Sequence, residues 1–498
     1  MEKGNDLRTD SPTSSQLFLN VIISYAASTQ RRLRGGDISA AFLQGTWIKR
    51  PLALRLPAGG IPDDEVKPGS LIMCNKSVYG TKDAPRGFWK ELHDVLLSCG
   101  LKEVPLETSA YYLPGEAGRV AGLLGSHVDD LLWSGTPEMD LVMEKVQEKF
   151  NFRLTSSEEF KFCGRIIEQS DKGIKVTCPS VLDRVKAIYV EPQRRKARAE
   201  PATPAEISQL RSVVGSLSWL SRVCRPDIGF GVNQLQAVQQ KAKVDDLLTA
   251  NRLLSYAMET KDKGIFYAAG AMDFDTCILL SINDASHAAS VQDINGNTVV
   301  GHRSQSGRIL ALASEKFLEN GEGHIHMLQW NSSVLKRVCR STLQAETLSL
   351  QLGSEDAEHV RQMMFVMKNL AKHLTPSRNY TDAADHMKIL WCTDCRSLSD
   401  HLVMPGISEV SDKRLAIDLT SLRQELWRGP GSLVGNPTYT DELPLDRTTD
   451  CRRISTKTMV ADALTKQMRC EQLHHLMDDG FLRVEFFSAS SPERILRV

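Results

Sequence analysis

A chain of 498 residues, 41% hydrophobic and 24% charged, has enough apolar material for about two to four folded domains. Its 61 basic residues balance 61 acidic ones, which excludes a chain-wide field for a polyanion, so any nucleic-acid surface must be local. The eleven cysteines are scattered rather than set in a dense framework, which argues for a reducing compartment. No apolar run reaches the roughly 18 residues of a membrane span, and no apolar signal-peptide core follows the N-terminus. An intracellular protein, cytoplasmic or nuclear and without a membrane partner, is expected.

In chain order, residues 13 to 30 carry a helical apolar pattern that leads into a strand ending near Asp37. From Val120 to Trp133 an apolar segment is broken by Asp129-Asp130 and then resumes, the pattern of a hairpin with an acidic tip. Thr136 and Pro137 then form an N-cap and first helical position, with Met139, Val142, Val146 and Phe150 at helical spacing. Residues 184 to 206, which include Arg194-Arg195-Lys196, suit an exposed linker or a phosphate-facing loop, the linker being preferred. Helices are expected from Ile207 to Leu220 and from Leu247 to Met258.

Past Gly270 the texture becomes strand-rich. Cys277 to Asn283 reads as a strand ending on Asp284, with further strands at Thr298 to Arg303 and Arg308 to Ala313. A long helix is expected from Ser341 to about Lys372, a strand from Lys388 to Cys392 that ends near Asp394, and a short helical segment around Asp462. The pair Cys392 and Cys395 has no second ligand pair at zinc spacing, so a strand end is the better reading there. Gly429 to Arg447 reads as a loop, and the last twenty or so residues as a loose tail.

Two carboxylate constellations stand out. Two divalent ions about 4 Å apart can activate an attacking oxygen and neutralise a leaving group at phosphorus, and aspartates at the ends of adjacent strands suffice to hold them. Asp37 with Asp129 and Asp130 offers one such set, although a bare Asp-Asp pair is more often an exposed turn. Asp284, Glu346, Asp394 and Asp462 offer a second, although each alone is more often a solvated carboxylate.

The surrounding text decides between these readings. The segments Asp37-Ile38-Ser39-Ala40-Ala41-Phe42-Leu43-Gln44-Gly45, Ser77-Val78-Tyr79-Gly80-Thr81-Lys82-Asp83-Ala84-Pro85-Arg86 and His127-Val128-Asp129-Asp130-Leu131-Leu132 occur in that order. Together they resemble the reverse transcriptase of copia-type LTR retrotransposons. The resemblance implies a right-handed polymerase palm with Asp37, Asp129 and Asp130 as catalytic metal ligands. Phe42 would be a steric gate against the ribose hydroxyl, with a core aromatic as the alternative, and Tyr79, Gly80, Pro85 and Arg86 would lie beside nucleotide and template. His127 stands where the family usually has Tyr, and Asp83 where it has Gln. Val214-Gly215-Ser216-Leu217, Arg225-Pro226-Asp227-Ile228, Tyr256 and Lys261-Asp262-Lys263-Gly264 resemble the family's segment after the palm, and Arg225 with Asp227 reads as a structural turn pair.

Asp284-Ala285-Ser286, Arg303-Ser304-Gln305-Ser306-Gly307, Trp330-Asn331-Ser332-Ser333, Ser341-Thr342-Leu343-Gln344-Ala345-Glu346 and Ala461-Asp462-Ala463-Leu464-Thr465-Lys466 resemble the ribonuclease H region of the same elements. Asp284, Glu346, Asp394 and Asp462 would be its catalytic metal ligands, with Asp418 a rival for the last place. An apparent insertion at Glu315 to His326 brings His324 and His326, read as surface residues rather than ligands.

The resemblance implies an α+β palm with truncated fingers over residues 1–180 and a helical thumb and connection over 181–270. An α/β ribonuclease H-like domain over 271–475 and a tail over 476–498 would follow. It further implies RNA-directed DNA synthesis and cleavage of RNA in RNA-DNA hybrids. Each site would use two Mg2+ ions, replaceable by Mn2+, and the partners would be an RNA template, a DNA primer, the hybrid and dNTPs. The chain begins only 36 residues before Asp37, short of the family's fingers segment, so polymerisation is expected to be weak or absent, with room for hybrid cleavage. The alternative is a polymerase-inactive remnant that binds nucleic acid or keeps only ribonuclease H activity.

Overall fold

The apolar run near the N-terminus forms α1 (Gln16–Ser28), which buries Phe18, Leu19, Val21 and Ile22. The computed structural model describes residues 9–56, 58–59, 69–150, 152–155, 157–287, 291–292, 298–299, 303–368, 383–405, 410–429, 432 and 443–487. Contacts divide the chain into two units, Met1–Ile22 with Arg31–Ser157, and Ile23–Gln30 with Glu158–Val498.

In the first unit, β1 (Arg34–Ile38) is followed by the paired strands β2 (Trp47–Arg55) and β3 (Leu71–Lys76), helix α2 (Ala84–Ser98), and β4 (Lys102–Glu103). Then come β5 (Ala110–Pro114), β6 (Val120–His127), β7 (Asp130–Gly135), α3 (Pro137–Lys149) and β8 (Phe152–Thr155). Among the described residues they build an antiparallel sheet in the order β4-β5-β6-β7-β1-β8. β6 is buried along its length up to His127 because both faces are covered. Phe88, Leu92, Met139 and Val146 of α2 and α3 pack on Leu124 and Trp133. On the other face a Cβ at Gly125 would meet Leu19 and Ile22 at 3.2 and 3.1 Å, so glycine there lets α1 lie close.

The second unit opens with β9 (Glu159–Phe162), β10 (Arg165–Ser170) and β11 (Gly173–Thr177), a meander that β12 (Ile265–Ala268) joins after a helical excursion. That excursion holds α4 (Pro179–Leu182), α5 (Pro204–Val223), α6 (Gly229–Val238) and α7 (Val244–Glu259). Thr203 and Glu206 close a capping box at the start of α5. The stretch expected as a linker is more ordered than its composition suggests. Arg194 starts a 3-10 turn, and its guanidinium donates to both carboxylate oxygens of Glu206 and to the Pro201 carbonyl.

A mixed sheet follows: β13 (Ile278–Ser286), the two-residue pair β14 (Val291–Gln292) and β15 (Thr298–Val299), β16 (Gln305–Ala313), α8 (Phe317–Asn320) and β17 (Glu322–Val334). Next come α9 (Thr342–Met367), β18 (Ile389–Thr393), α10 (Arg396–Val403), α11 (Lys413–Leu426), β19 (Thr449–Arg453), α12 (Glu471–Asp479) and β20 (Phe481–Arg483). The strand order is β19-β18-β13-β16-β17-β20, with β13, β18 and β19 parallel and the remaining pairs antiparallel. Of the strand expected over 298–303 only Thr298–Val299 is seen as strand, with residues 300–302 outside the described residues. Most of the 429–447 loop also lies outside them.

Two expectations need correction. His326, read as a surface residue, is fully buried: it faces inward on β17, its Nδ1 lies 2.7 Å from the Ser24 hydroxyl and its Nε2 is 3.0 Å from the Ala268 carbonyl. His324, two residues earlier, is exposed. Residues 476–487 are not a loose tail. α12 runs to Asp479, β20 pairs with the start of β17, and Phe486 bridges to Ile454.

The expected turn pair of Arg225 and Asp227 anchors a buried network. Two guanidinium nitrogens each donate to Asp227 at 2.8 Å, and NH1 and NH2 also bind the carbonyl and hydroxyl of Thr260. The Tyr256 hydroxyl donates to Asp227 at 2.9 Å. With Arg225 1% and Asp227 4% exposed, losing one partner strands the other charge in the interior. Arg225→Met should cost the second unit about 3–5 kcal/mol, read as a lower denaturant midpoint, and a change under about 1 kcal/mol would contradict this account.

Candidate active sites

In the first unit the sheet register places the acids. Asp37 lies opposite Asp130 across β1 and β7, and the Ile38 amide donates to the Asp129 carbonyl at 3.0 Å. His127 pairs with Asp130, which leaves Val128-Asp129 as a two-residue tip. Val128 has φ 60°, a left-handed conformation that costs a β-branched residue on the order of 1–3 kcal/mol. Ala40, just after Asp37, is left-handed too, at φ 51°. Asp37 is exposed and Asp129 and Asp130 are half-buried, so all three acids reach solvent at one end of the sheet.

Phe42 sits in a 3-10 turn (Ala41–Gln44), half-buried against the core of this unit, with its ring centroid 4.7 Å from that of Tyr79. Tyr79 is exposed, and Gly80 has φ 91°, which favours glycine there. Pro85 occupies the first turn of α2. Arg86 on that turn is ion-paired with Asp10 at 2.9 Å and stacks over Trp89. Sequence reasoning missed Arg50: its guanidinium binds both oxygens of Asp83, at 3.0 and 2.6 Å, and that hydrogen bonding holds the Asp83 carboxyl below its usual range.

In the second unit the carboxylates converge. Asp284 lies two residues before the end of β13 and Asp394 directly follows β18, and because these strands are parallel both acids emerge at the same edge of the sheet. Asp462 comes from a 3-10 turn (Val460–Leu464). Oxygens of Asp284, Asp394 and Asp462 lie within 4.8 Å of one another, the one such trio among the described residues. Asp284 and Asp462 are buried and Asp394 is half-buried. Glu346, on α9, is 4% exposed; the Ala285 amide donates to it, and its Oε2 has no hydrogen-bond partner. Asp418, the rival, sits on α11 in an ion pair with Arg337 and outside the trio.

Two glycines permit this convergence. Gly307 pairs with Asp284 across β13 and β16, and a Cβ there would meet the Ala461 carbonyl at 2.7 Å, so the turn that carries Asp462 can lie over it. A Cβ at Gly353 of α9 would come within 1.8 Å of Asn283 Oδ1, so glycine lets α9 approach β13 and bring Glu346 to the edge. The Thr465 hydroxyl donates to Asp284 Oδ2, and Lys466 Nζ lies 2.5 Å from Asp462 Oδ1. Neither contact was expected, although positions three and four after Asp462 share its side of a helical turn.

Burial pushes the Asp284 carboxyl up to about 7; the Thr465 hydrogen bond opposes this, and the charge of Asp462 adds to it. Burial, then the charges of Asp284 and Asp394, raise Glu346 well above the carboxylate range. Burial also raises Asp394, against a hydrogen bond from Thr456.

A carboxyl raised in the folded state keeps a proton that the unfolded chain has released, so the unfolding free energy falls as pH rises between the two values. For Asp284 that window runs from its ordinary 3.8 to about 7. In chelator the second unit should melt higher at pH 5 than at pH 8. Asp284→Asn should raise the midpoint by a few degrees at pH 8 and change it little at pH 5. Thermal melts at the two pH values check this, and an equal shift at both would contradict it.

Residues 4–189 match the family described as reverse transcriptase (RNA-dependent DNA polymerase). The chain is 23% identical over 473 residues to a retrovirus-related Pol polyprotein from transposon RE2 of Arabidopsis thaliana, an alignment covering 92% of this chain and 28% of that one. To the corresponding polyprotein from transposon RE1 it is 26% identical over 369 residues, 72% of this chain and 23% of the other. A putative transposon Ty5-1 protein of Saccharomyces cerevisiae is 25% identical over 276 residues, 53% of this chain and 86% of that protein. The chain thus spans about a quarter of the length of the two Arabidopsis polyproteins. No helix among the described residues is long and apolar enough to cross a membrane. The acidic hairpin lies inside the family match over residues 4–189, and that part of the chain is similar to the reverse transcriptase region of copia-type retrotransposon Pol polyproteins.

Proposed function

We propose that the chain is an RNA-directed DNA polymerase joined to a ribonuclease H. In this reading residues 1–180 form the palm with partial fingers, 181–270 the thumb and connection, and 271–475 a ribonuclease H-like domain. The observation that carries the proposal is the convergence of Asp284, Asp394 and Asp462 at one sheet edge, with Glu346 buried beside them. The match of residues 4–189 to reverse transcriptases supports the polymerase half.

The donor set fits a hard divalent cation. It is all oxygen, and burial, with the charges of neighbouring carboxylates adding to it, pushes the Asp284 and Glu346 carboxyls up, an arrangement that a cation relieves. Asp284, Glu346, Asp394 and Asp462 would hold two Mg2+ ions, for which Mn2+ may be exchanged, and when bound these supply activation of the attacking water and neutralisation of the leaving oxygen. Thr465 fixes the Asp284 carboxylate through its hydroxyl, Thr456 does the same for Asp394, and the Ala285 amide orients Glu346. Asp37, Asp129 and Asp130 would hold the corresponding pair for DNA synthesis. Phe42 would screen the sugar, and Tyr79, Gly80, Pro85 and Arg86 would face dNTP and template. The substrates are then an RNA template, a DNA primer and the RNA-DNA hybrid.

A second reading, hybrid cleavage without DNA synthesis, is favoured by one contrast: the tight oxygen trio occurs in the second unit and not at Asp37, Asp129 and Asp130. Primer extension and hybrid cleavage in Mg2+ separate the two readings. Asp284→Asn and Glu346→Gln should lower hybrid cleavage by more than the roughly 10–100-fold that losing an outer partner of a metal ligand costs, and Asp129→Asn should do so for extension alone. Hybrid cleavage untouched by Asp284→Asn would refute the site, and absent extension with intact cleavage would establish the second reading. Gly307→Ala should lower cleavage at least about tenfold while leaving extension unchanged, because it displaces the turn that carries Asp462.

A further inference from the structure

The turn that carries Asp462 also delivers a cation to the cluster. The Thr465 and Lys466 amides both donate to the Asp462 carbonyl, at 3.0 and 2.9 Å, and this folds the Lys466 side chain back over Asp462. Its ammonium lies 2.5 Å from Asp462 Oδ1, while its side chain is 45% exposed and therefore free to leave toward solvent. The same ammonium faces the charges of Asp284 and Asp394. Lys466 thus forms an ion pair with one of three carboxylates whose oxygens lie within 4.8 Å of one another.

We propose that Lys466 is a displaceable internal counter-ion: it holds Asp462 and screens the trio in the metal-free protein, competes with divalent cations for Asp462, and so sets the metal affinity of the site. The inference rests on the reading of Asp284, Asp394 and Asp462 as metal ligands. A lysine suits this role, since its flexible stem can retract where a buried arginine fork would not. A metal entering the site displaces one monovalent partner rather than building the site from dispersed acids. Lys466 is a positioning residue here, acting through Asp462.

The test uses the full chain and Mn2+ alone as the probe, with free Mn2+ followed by electron paramagnetic resonance and thermal melts run in chelator. Lys466→Met should tighten Mn2+ binding about fivefold, the scale of a partly exposed ion pair, and should lower the metal-free melting midpoint. Lys466→Gln, a polar neutral replacement, should do the same if the methionine variant folds poorly, and Lys466→Arg should stay closer to the parent affinity. Unchanged or weaker Mn2+ binding in both neutral variants would overturn the proposal while leaving the metal site intact. Mn2+ binding that survives Asp284→Asn undiminished would overturn the metal-site reading itself, and this proposal with it.

Discussion

Placing an ionisable carboxyl near the end of a strand that is buried along its length is the constraint on which the second unit turns. β13 is central in its sheet, with β18 on one side and β16 on the other, and it is buried through Ala285. A charge at Asp284 in that setting is expensive unless donors or cations reach it. The surrounding structure meets that need by close approach: Gly307 leaves room for the 461–466 segment, Gly353 leaves room for α9, and Thr465 supplies a hydrogen bond. Side chains of ordinary size at those two glycines would hold the acids apart. The electrostatic character of the edge is therefore a consequence of backbone proximity.

The first unit handles its acids differently. Asp37, Asp129 and Asp130 reach solvent, where water screens their charge. What the backbone invests there is conformational, with Val128 and Ala40 both held left-handed beside the acids. The antiparallel ladder between β6 and β7 over-determines the tip and keeps Val128 in place. One chain thus presents carboxylates in two ways, by burial among close-packed elements and by a strained, exposed turn.

Much of this was legible in the sequence wherever a local pattern ends on a distinctive residue. The apolar run that stops at Asp284 falls two residues short of the end of β13, the one that stops near Asp394 marks the end of β18, and Ser341 marks the start of α9 by accepting from the Gln344 amide. The acidic interruption at Asp129-Asp130 falls where the tip between β6 and β7 passes into β7. Long-range packing was not legible. Nothing local tells that His326 faces inward on β17, that β20 extends the sheet, or that Arg194 folds a basic stretch onto Glu206. The partnership of Arg50 with Asp83 is equally silent in sequence, because it joins a strand residue to a helix cap 33 positions away. Even Lys466 stands out only once the turn at Asp462 is known to be helical in hand.

The hydrogen bond between Ser24 and His326 joins positions 302 residues apart. Residues 23–30 group with the second unit although residues 31–157 of the first are made between them and the rest of it, and Tyr25 packs edge-on against Phe274 within it. During synthesis this short strap leaves the ribosome early and must wait, with its apolar residues unpaired, until β12 and β17 have been translated. Contacts of that separation slow folding and lengthen the exposure of sticky surface. An excised 271–475 fragment would leave the imidazole of His326 without its hydroxyl partner and Phe274 without its aromatic neighbour. The natural folding unit is a discontinuous one, and its birth order on the ribosome runs against its assembly order.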